Sequence, residues 1–141
     1  MDLAEALDSF NRKERNLLIR AALGHKDGQL PLSDSFCEQV RSKLKIELPN
    51  PRWWWATDYH INWLAGALCL YVEGKDQALK SQCNPKDEAH NRRLVEGNQE
   101  DIDLVIVTGN PLIMIEAKAY SPWSNAQMAS KLERLELLHH Y

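Results

Sequence analysis

The chain has 141 residues, of which 44% are hydrophobic and 26% are charged, with a net charge of −3 and a sequence pI of about 5.9. This composition is typical of one soluble globular domain, 1–141, and excludes a disordered chain. The acidic balance gives no general attraction to nucleic acid, so a nucleic-acid site would depend on a local basic patch.

The cysteines and the apolar stretches limit the setting of the chain. Cys37, Cys69 and Cys83 are widely separated and form no CxxC pair. The sequence therefore predicts neither a zinc ribbon nor a disulfide framework. It favours a reduced, cytoplasmic setting. The chain starts with an acidic, amphipathic segment unlike a signal peptide. Its longest apolar stretch, 63–72, is too short to cross a bilayer, so no membrane partner is expected.

The N-terminal part, 1–73, is predicted to be helical. Apolar residues recur at helical spacing in 9–23, which ends at Gly24, and in 33–47, which Ser33 or Asp34 can cap. The prolines within 48–55 interrupt this pattern. A buried central helix is then expected from residue 57 or 58 to about residue 72. The tryptophans at 53–55 invite a base-stacking role, but packing in the core is the favoured interpretation.

Residues 74–100 form a polar stretch. That stretch predicts a loop with a short strand near residues 93–95. In the second part of the chain, 95–141, the spacing of the apolar residues changes from that of a helix to that of a strand. The runs 101–107 and 112–120 are strand-like, and Gly109-Asn110 between them indicates a hairpin. A helix is predicted within 121–138, where Ser121 or Ser124 can cap it.

The predicted hairpin brings two carboxylates together. Side chains alternate along a strand, so a turn centred on 109–110 places residue 107 opposite 112 and Asp103 opposite Glu116. Lys118 then faces Asp101. Facing carboxylates repel each other, and Lys118 together with a hard cation such as Mg²⁺ would neutralise them. The sequence predicts a metal site here; the alternative is a surface hairpin in which Lys118 pairs with Asp101.

A family resemblance follows from these residues. Asp103 at the head of an apolar strand, then a turn and Glu116-Ala117-Lys118, resembles the signature of the PD-(D/E)XK, or restriction-endonuclease-like, nuclease superfamily. Ile102 stands where the signature has proline. The resemblance implies an α/β (α+β) fold, with a mixed sheet flanked by helices. It also implies hydrolysis of phosphodiester bonds in DNA with Mg²⁺, or with Mn²⁺ in its place.

The resemblance also implies roles for individual residues. Asp103, Glu116 and the Ala117 carbonyl would be metal ligands, and Lys118 would orient the attacking water and stabilise the developing phosphorane charge. Gln127, in the helix after the hairpin, would be a further catalytic residue. Glu14 would be a further metal ligand, although Asn11 and Glu14 also fit a capping box, which is the favoured interpretation.

Several alternatives remain open. Asp101 or Glu100 can replace Asp103 as the first ligand. Lys131 and Arg134 share a helix face with Gln127, and this face could touch the phosphate backbone. For Lys131 and Arg134, an ordinary solvated face is the favoured interpretation. The same applies to two basic groups, Arg92-Arg93 and the trio Arg12, Lys13 and Arg15.

Two rival functions are also compatible with the sequence. One is an inactive module of the same fold that binds nucleic acid or protein, and the other is a helical interaction domain. The family core continues into another strand after the last predicted helix. That strand could come from 74–100, from sequence not included in this chain, or from a partner, either a second copy in a homodimer or a partner domain.

Overall fold

A computed structural model gives the fold and describes residues 1–11, 13–25, 30–45, 53–78, 86–88, 91–93, 95–97, 100–109, 111–118 and 125–140. Its elements, in chain order, are α1 (Leu3–Phe10), α2 (Glu14–Ala22), α3 (Asp34–Leu44), β1 (Trp54–His60), α4 (Ile61–Ala78), β2 (Lys86–Asp87), β3 (Arg92–Arg93), β4 (Asp101–Val107), β5 (Leu112–Ile115) and α5 (Asn125–Glu136). A 3₁₀ turn, Leu137–His140, follows α5. Among the described residues, none of the helices combines the length and the apolar character that crossing a membrane requires.

The main sheet has three strands in the order β1-β4-β5, and both pairs are antiparallel. β4 is the central strand. β2 and β3 pair only with each other in the part of the chain that is described, so the 74–100 region adds no strand to the main sheet there. The fold is therefore α+β, as predicted, but the main sheet is antiparallel throughout its described strands instead of the mixed sheet that was expected.

The hairpin of β4 and β5 has the predicted register. Val107 lies opposite Leu112 and Val105 lies opposite Met114. Gly109, in the turn, has φ +72, a conformation that glycine adopts without strain. β5 ends at Ile115, so the predicted strand 112–120 is too long: residues 116–118 follow the strand, and 119–120 lie outside the described residues.

The prediction of a wholly helical N-terminal part is wrong at β1. Its aromatic and β-branched side chains suit a half-buried pleated strand, and Trp54 and His60 lie opposite Val107 and Asp101 of β4. Asp58, predicted as a possible helix cap, has φ +50, which shifts the alternation of buried residues along the strand. Helix α4 then begins directly, since the backbone N–H of Ile61 donates to the Glu100 carbonyl oxygen at 3.0 Å.

Two helices replace the single helix predicted for 9–23. Asp2 and Glu5 form a capping box at the start of α1, and α1 packs against α4, where the Gly66 backbone lies under the ring of Phe10. α2 has no buried residue among its nine, all of which are described. Its apolar side chains face outward: Leu17, Leu18 and Ile19 are exposed, so the predicted inward stripe is wrong.

Other local predictions are confirmed. Gly24 follows α2 with φ +79, and the Ser33 hydroxyl accepts a hydrogen bond from the Phe36 N–H at the start of α3. The predicted caps of α5, Ser121 and Ser124, lie outside the described residues.

The core lies on both faces of the sheet. One cluster joins α1 and α4 to β1 and β4, and the other joins α3 to β4 and β5. Trp53 and Trp54 are buried and Trp55 is half-buried, with its Nε1 donating to the Leu30 carbonyl oxygen at 2.6 Å. Packing, rather than base stacking, is therefore the role of this tryptophan run, as predicted.

The cysteines differ from the expectation. Cys69, in the buried part of α4, is disulfide-bonded, so the prediction of a chain without a disulfide is wrong at this residue. Cys37 carries a free thiol on α3, and burial raises the pKa of that thiol.

Candidate functional site

The candidate site lies at the end of the main sheet where β4 begins and β5 ends. The register of the hairpin, continued by one pair, places Asp103 opposite Glu116. The Asp103 carboxylate accepts a hydrogen bond from the Ala117 N–H at 2.7 Å. A side-chain oxygen of β4 thus receives the backbone N–H just past the end of β5. Asp103 and the Glu116-Ala117-Lys118 segment are brought together, as the sequence predicts.

The Glu116 carboxylate pairs with a lysine that the sequence did not assign to it. Lys131 Nζ, on α5, donates to Glu116 Oε1 at 2.8 Å and to the Asp101 carbonyl oxygen at 2.6 Å. Both side chains are 19% exposed. This ammonium group lies between an oxygen atom of β4 and one of Glu116, just past the end of β5, so α5 covers the end of the hairpin through a charged contact.

Among the described contacts, the Asp101 carboxylate pairs with Lys13 and His60 rather than with Lys118, its partner in the alternative interpretation. Its Oδ2 lies 2.9 Å from Lys13 Nζ, at the start of α2. Its Oδ1 contacts His60 Nδ1 at the end of β1. The His60 ring packs edge-to-face on Trp63, with 4.2 Å between the ring centroids. Asp101 therefore links the start of α2 and the end of β1 to the start of β4. These contacts explain why a carboxylate is present at this position.

Arg134 is the largest fully buried side chain of the described residues. Its Nη1 donates to Glu100 Oε2 at 3.0 Å, and its Nη2 donates to Asn62 Oδ1 at 2.5 Å. The hydroxyl of Ser130 donates to the other Glu100 oxygen at 2.8 Å. Both oxygens of one carboxylate thus receive donors from adjacent turns of α5, which fixes that helix against β4 and α4.

The prediction that Lys131 and Arg134 form a solvated face is therefore wrong. Helical spacing placed them on one side of α5, which is correct, but that side faces the sheet. The signal available in the sequence was Glu100 directly before the strand, since a carboxylate there needs a cation. The spacing alone does not say which cation reaches it.

The roles predicted for Lys118 and Gln127 are not tested by these contacts. Lys118 is exposed beyond the end of β5. Gln127 lies within α5, and its side chain is outside the described residues. The role predicted for each stays a prediction.

Glu14 is the first residue of α2 and is exposed. Within the described residues, no contact joins it to Asp103 or Glu116. The capping box with Asn11 is wrong, because Lys13 is the N-cap of α2 and no side chain caps that end. Asn11 instead accepts a hydrogen bond from the side chain of Asn16 at 3.3 Å.

The basic groups considered for DNA binding have different positions. Lys13 pairs with Asp101, and Arg15 pairs with Asp58 at 3.0 Å while its side chain stays 71% exposed. Arg93 is exposed on β3, Arg12 lies outside the described residues, and so does the side chain of Arg92. Two of these basic side chains are therefore already paired with carboxylates of the chain.

Two further features concern metals and ligands. Among the described residues, no group of three or more histidine, cysteine or carboxylate side chains is arranged to hold a metal ion. A cavity of about 400 Å³ lies away from the hairpin end, between α1, α2 and β1, and its lining includes Asp8, Arg20 and Trp55.

Comparison with protein-family models, with curated proteins and with solved structures gives no match for this chain. The carboxylates and lysines at the hairpin end are thus the observations from which a function is proposed.

Proposed function

We propose that this chain is a metal-dependent nuclease of the PD-(D/E)XK type that hydrolyses phosphodiester bonds in DNA. The observation that carries the proposal is the juxtaposition of Asp103 with the Glu116-Ala117-Lys118 segment at the end of an antiparallel hairpin. A strand order of β1-β4-β5 followed by α5 is compatible with a restriction-endonuclease-like core. Asp103 lies on β4, which is packed on both faces, and Glu116 directly follows β5.

The donor set fits a hard divalent cation such as Mg²⁺ or Mn²⁺. Asp103 and Glu116 offer carboxylate oxygens and Ala117 offers a carbonyl oxygen, and such cations prefer oxygen ligands. A positive group already lies among these oxygens, because the Lys131 ammonium contacts Glu116. Mg²⁺ keeps several water ligands, so two carboxylates and a carbonyl are sufficient protein ligands.

When bound, the metal ion would supply an activated water and a positive charge beside the scissile phosphate. The residues of the chain supply the rest. Asp103 holds the Ala117 N–H, and so keeps the Glu116-Ala117 backbone turned toward β4. Glu100, Ser130 and Arg134 hold α5 over the same end. The site also needs a fixed positive group where negative charge develops on the phosphate.

The test is titration of Mn²⁺ into the wild type, Glu116→Gln and Asp103→Asn by isothermal calorimetry, with plasmid cleavage on the same preparations. Both variants keep the shape of the side chain and remove its charge. We expect metal binding and cleavage to be lost together. Glu136→Gln, an exposed residue of α5, is the matched control and should behave as wild type. Wild-type binding that persists in both variants would refute the assignment of the ligands.

A second candidate function is an inactive module of this fold that binds nucleic acid or a protein. The observation that favours it is that both key carboxylates have internal partners, Lys131 for Glu116 and the Ala117 N–H for Asp103. The exposed leucines of α2 also suit a partner surface. Fluorescence anisotropy with labelled duplex DNA separates the two functions, since the module would bind DNA, or a protein partner, without cutting in the presence of Mn²⁺.

A further inference from the structure

Two lysines of the site are candidates for its fixed positive charge. Lys118 is the one that the sequence motif supplies, but β5 ends at Ile115 and Lys118 is exposed three residues later. Lys131 comes from α5, and its Nζ lies 2.8 Å from Glu116 Oε1. Its side chain is 19% exposed, so its charge acts where water screens less.

We propose that Lys131 is a fixed cation of this site, and that it is an internal counter-ion which a divalent metal ion must displace from Glu116. This inference rests on the proposed function and adds to it the residue that controls metal binding. It is drawn from the contacts of Lys131, which link α5 to Glu116 and to the Asp101 carbonyl oxygen.

The surroundings of Lys131 keep its ammonium group at this place. Ser130, the preceding residue, and Arg134, one turn later, both donate to the Glu100 carboxylate. The backbone of α5 at Lys131 is thus held from both sides against the start of β4. The lysine stem is flexible and its head is a compact charge with three donors, so the head can leave Glu116 without movement of the helix.

Two consequences of opposite sign follow. Lys131 and a metal ion compete for one carboxylate, so removal of the ammonium group should strengthen metal binding. The displaced ammonium group remains beside the hairpin end, where it can hold a phosphate oxygen and stabilise the negative charge that develops on it. Removal of the same group should therefore weaken cleavage. A residue with only a structural role would not give tighter metal binding together with slower cleavage.

The experiment compares Lys131→Met with Lys43→Met, a control at an exposed lysine of α3; each variant removes one ammonium group and keeps an unbranched side chain. For Lys131→Met we expect Mn²⁺ to bind about 5-fold tighter by calorimetry, the value of a modest ion pair. Plasmid cleavage should fall about 100-fold or more, as when one donor to a developing negative charge is lost. Lys131→Arg, which keeps the charge, should recover part of the cleavage.

Lys43→Met should stay within about twofold of wild type in both assays, as expected for an exposed charge on α3. The inference is overturned if Lys131→Met cleaves plasmid as fast as Lys43→Met. It is also overturned if Lys131→Met weakens Mn²⁺ binding, because a competing cation cannot strengthen the binding of its rival.

Failure of the proposed function is recognised separately. If the wild type neither binds Mn²⁺ nor cuts DNA, a double-mutant cycle of Lys131→Met with Glu116→Gln, followed by urea unfolding, still decides the counter-ion assignment. The two changes should be non-additive by about 5-fold in the unfolding equilibrium constant, whereas Lys43→Met and Glu116→Gln should be additive. Additivity in the Lys131 cycle would overturn the assignment.

Discussion

Replacement of the buried Arg134 by methionine should cost far more stability than the same change at the exposed Arg15. Both guanidinium groups lie 3.0 Å from a carboxylate oxygen, Arg134 from Glu100 and Arg15 from Asp58. The side chains differ in burial, since that of Arg134 is 1% exposed and that of Arg15 is 71% exposed. The two ion pairs have equal length but very different burial, and Arg134→Met also removes the hydrogen bond to Asn62.

The magnitudes follow from what each variant leaves behind. Breaking a buried pair costs about 3–5 kcal/mol, because one charge loses its partner. For Arg134→Met we expect the low end, about 3 kcal/mol. The reason is that Glu100 keeps the Ser130 hydroxyl and remains 23% exposed to water. Arg15→Met should cost less than about 1 kcal/mol, as for other exposed pairs.

Urea unfolding followed by tryptophan fluorescence gives these free energies, provided that the dependence on urea is unchanged. Glu100→Gln serves as a second variant, and should cost about 4 kcal/mol because it leaves the more buried partner, the Arg134 guanidinium, without an anion. The double variant should recover part of that loss, since neither charge is then left alone. The reasoning is refuted if Arg134→Met falls within about 0.5 kcal/mol of Arg15→Met, a difference too small for a buried pair.

Three further predictions concern the core. Tyr59→Phe should cost about 1–2 kcal/mol, because the hydroxyl donates to the Leu7 carbonyl oxygen at 2.8 Å in a buried position. Burial, and to a lesser extent Asp8, raises the pKa of the Tyr59 hydroxyl. In the unfolded chain this hydroxyl ionises at a pKa of about 10, whereas in the folded protein it stays neutral to higher pH, so the unfolded state gains stability above pH 10. The free energy of unfolding of the wild type should therefore fall more steeply than that of Tyr59→Phe as pH rises above 10. Cys37 should react slowly with iodoacetamide in the native protein and rapidly in urea, as peptide mass mapping would show, because burial raises the pKa of its thiol; equal rates would contradict this. Gly66→Ala should lower the free energy of unfolding by about 1 kcal/mol, although alanine favours a helix, because the new Cβ would lie 2.8 Å from the Phe10 ring. Adding Phe10→Leu to the same chain should restore stability, and urea unfolding measures both effects.

The hairpin could be predicted from the sequence because its information is local. Four residues separate Val107 from Leu112, and the turn at Gly109 fixes which residues face each other. The meeting of Asp103 with the residues after β5 follows from that register. The end of β5 could not be predicted, because it depends on the Asp103 carboxylate taking the Ala117 N–H and on Lys131 reaching Glu116 from α5.

β1 and the inward face of α5 depend on residues far away in the chain. The strand character of 54–60 becomes favourable only when β4, more than 40 residues later, provides its ladder partners. Arg134 has the same dependence, because its acceptors are 34 and 72 residues away, on Glu100 and Asn62. Helical spacing tells which side chains share one face of α5. Which face is buried depends on partners elsewhere in the chain.

The two ion pairs of α5, Arg134–Glu100 and Lys131–Glu116, have different physical roles. Replacing a buried ion pair by apolar side chains is often neutral or stabilising, so the Arg134–Glu100 pair is weak evidence for a gain in stability. Its geometric effect is clearer, because both Glu100 oxygens and the Asn62 side chain fix α5 at one height over the sheet. Lys131 lies on the same helix less than one turn away, and so inherits that position. The buried pair thus fixes the point on α5 from which the lysine stem starts, while the flexible stem lets the ammonium group reach or leave Glu116. An apolar replacement at both Arg134 and Glu100 should therefore preserve folding but loosen the placement of the site's cation.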